Sequence, residues 1–115
     1  MRRVLLMSLL VLAGAACGEA NLEPLPLGLT ITPNKSVAAP RDTISFRVTA
    51  QGGNLIGLQV DYADSTGDQF GTSGARTAEI TFRHAYANSG TFQVTVTVTD
   101  GLAGQKTAST QIRVN

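Results

Sequence analysis

The chain has 115 residues, of which only 15% are charged, and a formal net charge of +1. Arg2 and Arg3 supply two of the nine basic side chains, so the rest of the chain is close to neutral, with eight acidic groups. That balance excludes the clustered basic face that nucleic acid requires, and a single cysteine excludes both an intrachain disulfide framework and a cysteine-based zinc site.

The first segment, Met1-Arg2-Arg3 followed by an apolar run over residues 4–16, has a positive start, an apolar core and small residues at its exit. The run is too short for a mature membrane span, which needs roughly 20 residues. It reads as a secretory signal peptide over residues 1–16, to be left out of the fold. Leu12-Ala13-Gly14-Ala15-Ala16-Cys17 resembles a bacterial lipobox, with Gly14 standing where that signal usually has leucine. The resemblance implies cleavage before Cys17 and acylation of Cys17. Several acyl chains would anchor the protein stably, since each buried CH₂ contributes about 0.8 kcal/mol. The expectation is therefore an exported lipoprotein at an outer membrane or cell surface, with residues 17–28 as lipidated cysteine and proline-containing tether.

Residues 29–115 form the expected domain. Residues 29–32 read as an edge strand closed by Pro33. Period-two alternation then recurs: Ile44, Phe46 and Val48; Leu58, Val60 and Tyr62; Ala78, Ile80 and Phe82; Phe92, Val94, Val96 and Val98; Ile112 and Val114. Within each run the apolar residues alternate with polar ones, as in antiparallel strands with one buried and one wet face. Turn signals fall between the runs at Pro40-Arg41-Asp42, Gln51-Gly52-Gly53-Asn54, Ser65-Thr66-Gly67-Asp68, Asn88-Ser89-Gly90 and Asp100-Gly101. Short strands at this spacing predict an all-β, immunoglobulin-like antiparallel β-sandwich with Greek-key connections.

The stretch His84-Ala85-Tyr86, followed by Ser89-Gly90-Thr91-Phe92 and alternating valine and threonine up to Asp100, resembles the PKD (polycystic kidney disease) domain. Upstream, Val60-Asp61-Tyr62-Ala63-Asp64-Ser65 stands where that family has Trp-Asp-Phe-Gly-Asp-Gly. Both aspartates and the aromatic match; Val60 replaces tryptophan, and Ala63 and Ser65 replace glycines. The resemblance implies structural roles for His84, Tyr86, Gly90, Phe92 and Asp100. Tyr86 is expected to bury its ring and send its hydroxyl to backbone, as in a tyrosine corner, and Gly90 to supply positive φ in its turn.

Three chemistries remain to be weighed. His84 is the only histidine, and catalysis would need a nucleophile and an orienting carboxylate around it; no Gly-x-Ser-x-Gly elbow occurs, so no enzyme activity is expected. Asp61, Asp64 and Asp68 are candidate calcium ligands, since calcium takes six to eight oxygens; otherwise no cofactor is expected. The outward residues Gln93, Thr95, Thr97 and Thr99, with Arg47 and Thr49 nearby and Tyr62 or Phe70 as an aromatic anchor, form a candidate binding surface. The functional expectation is a non-catalytic surface module that binds an envelope or surface protein, with a glycan as the alternative ligand, and with the membrane reached through Cys17. Exposed strand edges offer strand addition as a mode of binding.

Overall fold

A computed structural model of the protein describes residues 26–115. The leader, Cys17 and most of the tether lie outside the described residues. Six strands follow in order: β1 (Gly28–Pro33), β2 (Val37–Ala38), β3 (Thr43–Asp61), β4 (Gly67–Ala85), β5 (Gly90–Asp100) and β6 (Gly104–Val114).

β3 and β4 are each 19 residues long and pair antiparallel from Asp61 opposite Gly67 to Thr43 opposite Ala85. They form one long hairpin, and that hairpin is folded over. The register slips between Gln51 and Leu55 and again between Leu55 and Gly57. On the facing strand, Ser73 and Gly74 adopt positive φ. Such bulges bend a strand and increase its twist. The Gln51-Gly52-Gly53-Asn54 segment, expected as a turn between two strands, is thus a bend inside one continuous strand. The glycines that signal a turn serve equally to fold a strand across a corner.

The bend splits each long strand between two layers. In the first layer β3 up to Gln51 pairs with β1 and with the second half of β4. In the second, β3 from Leu55 pairs with the first half of β4 and with β5; β6 adds to β5, and β2 adds to β6 in parallel. The chain crosses between layers after β4, so β5 returns beside β3 rather than beside β4, giving the Greek-key immunoglobulin-like sandwich.

The fold-over is visible in side chains. The rings of Phe46 and Tyr62 lie 5.9 Å apart, whereas a straight strand would separate those positions by roughly 50 Å at ~3.3 Å per residue. The core follows the period of two. Ile44, Phe46, Val48 and Ala50 of the first layer meet Leu58, Val60, Val94, Val96, Val98 and Ile112 of the second, all buried. Each buried valine, leucine, isoleucine or phenylalanine contributes about 1.5–3 kcal/mol by leaving water, and Ala50 less; no disulfide assists. Ala78 and Ile80 are only half-buried, because β4 is the border strand of its layer.

Candidate functional site

The hairpin's tip is folded onto its own base. Tyr62-Ala63-Asp64-Ser65-Thr66 links β3 to β4 at the tip, while His84 and Tyr86 stand at the open end. His84 Nε2 lies 2.7 Å from Asp64 Oδ2. The imidazole stacks on the Tyr62 ring with centroids 3.9 Å apart and meets the Tyr86 ring edge-on at 4.7 Å. Tyr86 in turn stacks on Phe92 of β5 at 4.1 Å and donates its hydroxyl to the Tyr62 carbonyl at 2.8 Å. The hydroxyl thus bonds backbone across the layers, the corner geometry expected of it. Burial, with the nearby charges of Asp64 and Asp61, pushes the Tyr86 phenol up to about 12. Burial and the bond to Asp68 likewise raise Tyr62. Neither phenol ionises near neutral pH, so both act as donors.

Each of the three clustered carboxylates has its own protein donor. Asp61 accepts from the Ala63 backbone at 2.9 Å and Asp68 from the Tyr62 hydroxyl at 2.6 Å. Asp64 accepts from the Thr66 backbone at 3.1 Å, from the Thr66 hydroxyl and from His84. Desolvation is the largest single influence on Asp64 and opposes its charge, but the bonds from Thr66 and His84 together outweigh it and hold the carboxyl below its usual value. Among the described residues no three carboxylate, thiol or imidazole groups gather around one point. The three carboxylates expected as calcium ligands are thus not brought around one point, and each is engaged in the hydrogen bonding of the hairpin tip.

A buried carboxylate closes the opposite end of the sandwich. Asp100 continues the inward register of Val94, Val96 and Val98 and is 3% exposed. It accepts from the backbone of Asn54 at 2.9 Å, Leu102 at 2.7 Å and Ala103 at 3.0 Å. The bond from Asn54 foremost holds its carboxyl below the usual range. This cradle pins the β3 bend to the β5–β6 turn. The sequence signal for it was the parity of Asp100, which points it into the core where only a backbone-satisfied carboxylate survives.

The family model of the PKD domain matches residues 28–114. The protein belongs to the PKD family. Solved structures agree in fold. The PKD domain of an M14-like peptidase from Thermoplasmatales archaeon SCGC AB-540-F20 superposes with a TM-score of 0.66 at 16% identity, covering 75% of this chain and 91% of that one. The PKD domain of the human VPS10 domain-containing receptor SorCS2 gives 0.54 at 21% identity, covering 80% and 74%. The CARDB domain of a Pyrococcus furiosus protein, solved in complex with di-metal ions, gives 0.59 at 13% identity, covering 77% and 92%. No curated protein matches.

The PKD domain presents two outer faces. Gln93, Thr95, Thr97 and Thr99 lie on the second layer, opposite Gln111, Ser109, Thr107 and Gln105 of β6. Arg47 and Thr49, expected beside them, lie on the first layer, where Arg47 pairs with Glu79 at 2.6 Å and Thr49 bonds Thr30. The bend in β3 is the reason: outward residues on its two halves face opposite sides of the molecule. Tyr62 is 1% exposed and is no surface anchor. Phe70 is half-exposed, because it sits on the border strand β4. Its side chain shares the inward register of buried Leu58, directly opposite it; on the outer face of the same sheet Ile56 edges a shallow depression bordered by Gln59, Gln69, Thr97 and Thr99, to which Phe70 contributes its backbone. The floor is the cross-strand pair Gly57 and Gly71, where two absent side chains expose the sheet itself.

Proposed function

We propose that the protein is a non-catalytic envelope or surface lipoprotein, held at a membrane through Cys17, that recognises a protein partner at the glycine-floored depression beside Ile56. The observation that carries this reading is the concentration of exposed apolar surface there. Among the described residues four large apolar side chains are exposed: Val37, Ile56, Phe70 and Leu102. Phe70, directly opposite inward-facing Leu58, is exposed at the border of the inner face, while Ile56 lines the depression. Leu102 belongs to the β5–β6 turn next to it, since a Cβ on Gly101 would stand 3.5 Å from Ile56 Cδ1. The border is uncharged amide and hydroxyl, so the complementary surface is an uncharged one that offers an apolar side chain to the floor. A glycan, the alternative ligand, would use the same amides and hydroxyls, but the one large exposed ring, Phe70, follows the inward register rather than that of the depression, where stacking on several rings would be favoured.

The test uses residues 18–115 as bait for envelope extract, with Gly71→Val alongside. A Cβ at Gly71 meets no atom within 4 Å, and valine suits a strand, so this variant fills the depression while the fold stays intact. A protein captured by the parent and lost from Gly71→Val at unchanged melting temperature is the expected result. Capture that survives the filling would overturn this face as the site. Enrichment of polysaccharide, or retention on lipid vesicles with no protein captured, would overturn the protein-partner reading itself.

A further inference from the structure

The geometry points to a second copy of this chain as the partner of the β4 edge, with the two copies pairing antiparallel over residues 77–85 about an axis through Thr81. Among the described residues β4 pairs only with β3, and along its 19 residues its other side has no backbone partner among them. The remaining outer strands are poor templates: β1 has six residues and ends at Pro33, and β2 has two. Long edges are ordinarily blunted by proline, bulges or a covering segment. From Thr77 to Ala85 β4 keeps an unbroken register with β3 and contains no proline.

The side chains select one register. Thr77, Glu79, Thr81 and Arg83 are exposed on one face, and Ala78, Ile80 and Phe82 point toward the core. Antiparallel pairing that keeps outward residues opposite outward ones places the twofold axis on a residue. An axis on Glu79 or on Arg83 sets two like charges directly opposite each other, which is unfavourable. An axis on Ile80 or Phe82 leaves both charged residues opposite uncharged neighbours. The axis on Thr81 places Glu79 opposite Arg83 twice and Ile80 opposite Phe82 twice. Within one copy Arg83 stands opposite Ser45, and among the described residues it makes no ion pair, whereas Glu79 already pairs with Arg47. Dimerisation about Thr81 therefore gives Arg83 its carboxylate, extends the Arg47–Glu79 pair into a network, and joins the half-buried rims of two cores. Both first layers become one continuous sheet. The inference is independent of the depression beside Ile56, which lies in the other layer.

The experiment uses the full chain purified in mild detergent. Thr81→Cys brings a thiol opposite its own copy, so mild oxidation yields a disulfide-linked dimer well above the background set by the parent, whose sole cysteine is Cys17. Thr77→Cys faces Ala85 of the second copy and stays at background. Adding Arg83→Glu to Thr81→Cys cuts the dimer several-fold, and adding Glu79→Arg as well restores it. Equal crosslinking at the two positions, or a yield indifferent to Arg83→Glu, overturns the inference. If Thr81→Cys melts unlike the parent, sedimentation of the parent against Arg83→Glu decides the same point: a concentration-dependent dimer lost in the variant supports it, and a monomer in both sinks it.

Discussion

Asp64 Oδ2 and His84 Nε2 lie 2.7 Å apart, although the hairpin register puts Asp64 beyond its tip and His84 beside Ile44 at its base. The bond is thus a clasp that closes the folded hairpin on itself. It needs only an Nε2–H, so it does not depend on a charged imidazole. A hydrogen bond to an ionised group contributes about 1.5–3 kcal/mol when partly buried. His84→Ala and Asp64→Ala are each expected to lower stability by about 2 kcal/mol. The double variant should cost little more than either alone, as urea melts of the four proteins would read. Fully additive losses would show that the two residues stabilise the fold separately.

The same tip carries stored backbone strain. Ala63 and Ser65 stand where the PKD pattern has glycine, and both adopt positive φ, 69° and 73°. Both positions thus hold the left-handed conformation that glycine adopts most readily. A left-handed conformation costs a side chain about 1–2 kcal/mol, partly offset because glycine has more freedom to lose on folding. Ala63→Gly and Ser65→Gly are each expected to stabilise by roughly 0.5–1 kcal/mol. A melting temperature lowered by both would mean that the side chains contribute contacts worth more than the strain.

How legible the molecule was in its sequence depended on the kind of feature. Alternation at Ile44, Phe46 and Val48 and at Val94, Val96 and Val98 identified inward positions correctly, because parity is a local property of a strand. The motif around His84 and Tyr86 pointed to the right family, and Tyr86 makes the backbone bond expected of it. Layer assignment was not legible. Arg47 and Gln93 look alike on a period of two, yet they occupy opposite faces because β3 changes layer at Gly52-Gly53, and glycines mark a bend or a turn with equal force. Nor could spacing show whether Asp61, Asp64 and Asp68 converge: their oxygens are distributed among Ala63, Thr66, His84 and Tyr62, a choice made by tertiary contacts.

That distribution bears on metal binding. Recruiting all three carboxylates to one ion would break the Asp64–His84 clasp and the Tyr62–Asp68 bond together. Millimolar calcium is expected to leave the melting temperature of the soluble domain unchanged, and a chelator to have no effect. A calcium-dependent rise abolished by Asp64→Asn would overturn this expectation and show that the tip rearranges around the ion.

Acid should act through the two carboxylates whose native values are depressed. Asp64 is held low against the opposing effect of desolvation by the bonds from Thr66 and His84, and Asp100 by backbone donors, that of Asn54 first. A depressed carboxyl favours the fold in full above its unfolded value of about 3.9. Its contribution is lost as pH falls through the lower native value. The melting temperature should therefore be level above about pH 5 and fall below about pH 4. Asp64→Asn and Asp100→Asn should each lower it at pH 7 and flatten the acid limb. An acid limb of unaltered steepness in both variants would place its origin elsewhere.

Gly52 is the position at which this cradle is most exposed to substitution. A Cβ there would stand 2.2 Å from Asp100 Oδ2 and 3.0 Å from Leu55 Cδ2. The carboxylate has no room to yield, because its other oxygen is held by Leu102 and Ala103. Gly52→Ala must therefore displace the β3 bend or break the bond to Asn54, and either loosens the joint between the layers. The expected outcome is a fall of several degrees in melting temperature, against no change for Gly71→Ala, where a Cβ meets nothing within 4 Å. In an Asp100→Ala background, where the obstructing oxygen is gone, Gly52→Ala should lose most of its effect. If it is equally damaging there, the glycine is required by the bend itself rather than by the carboxylate.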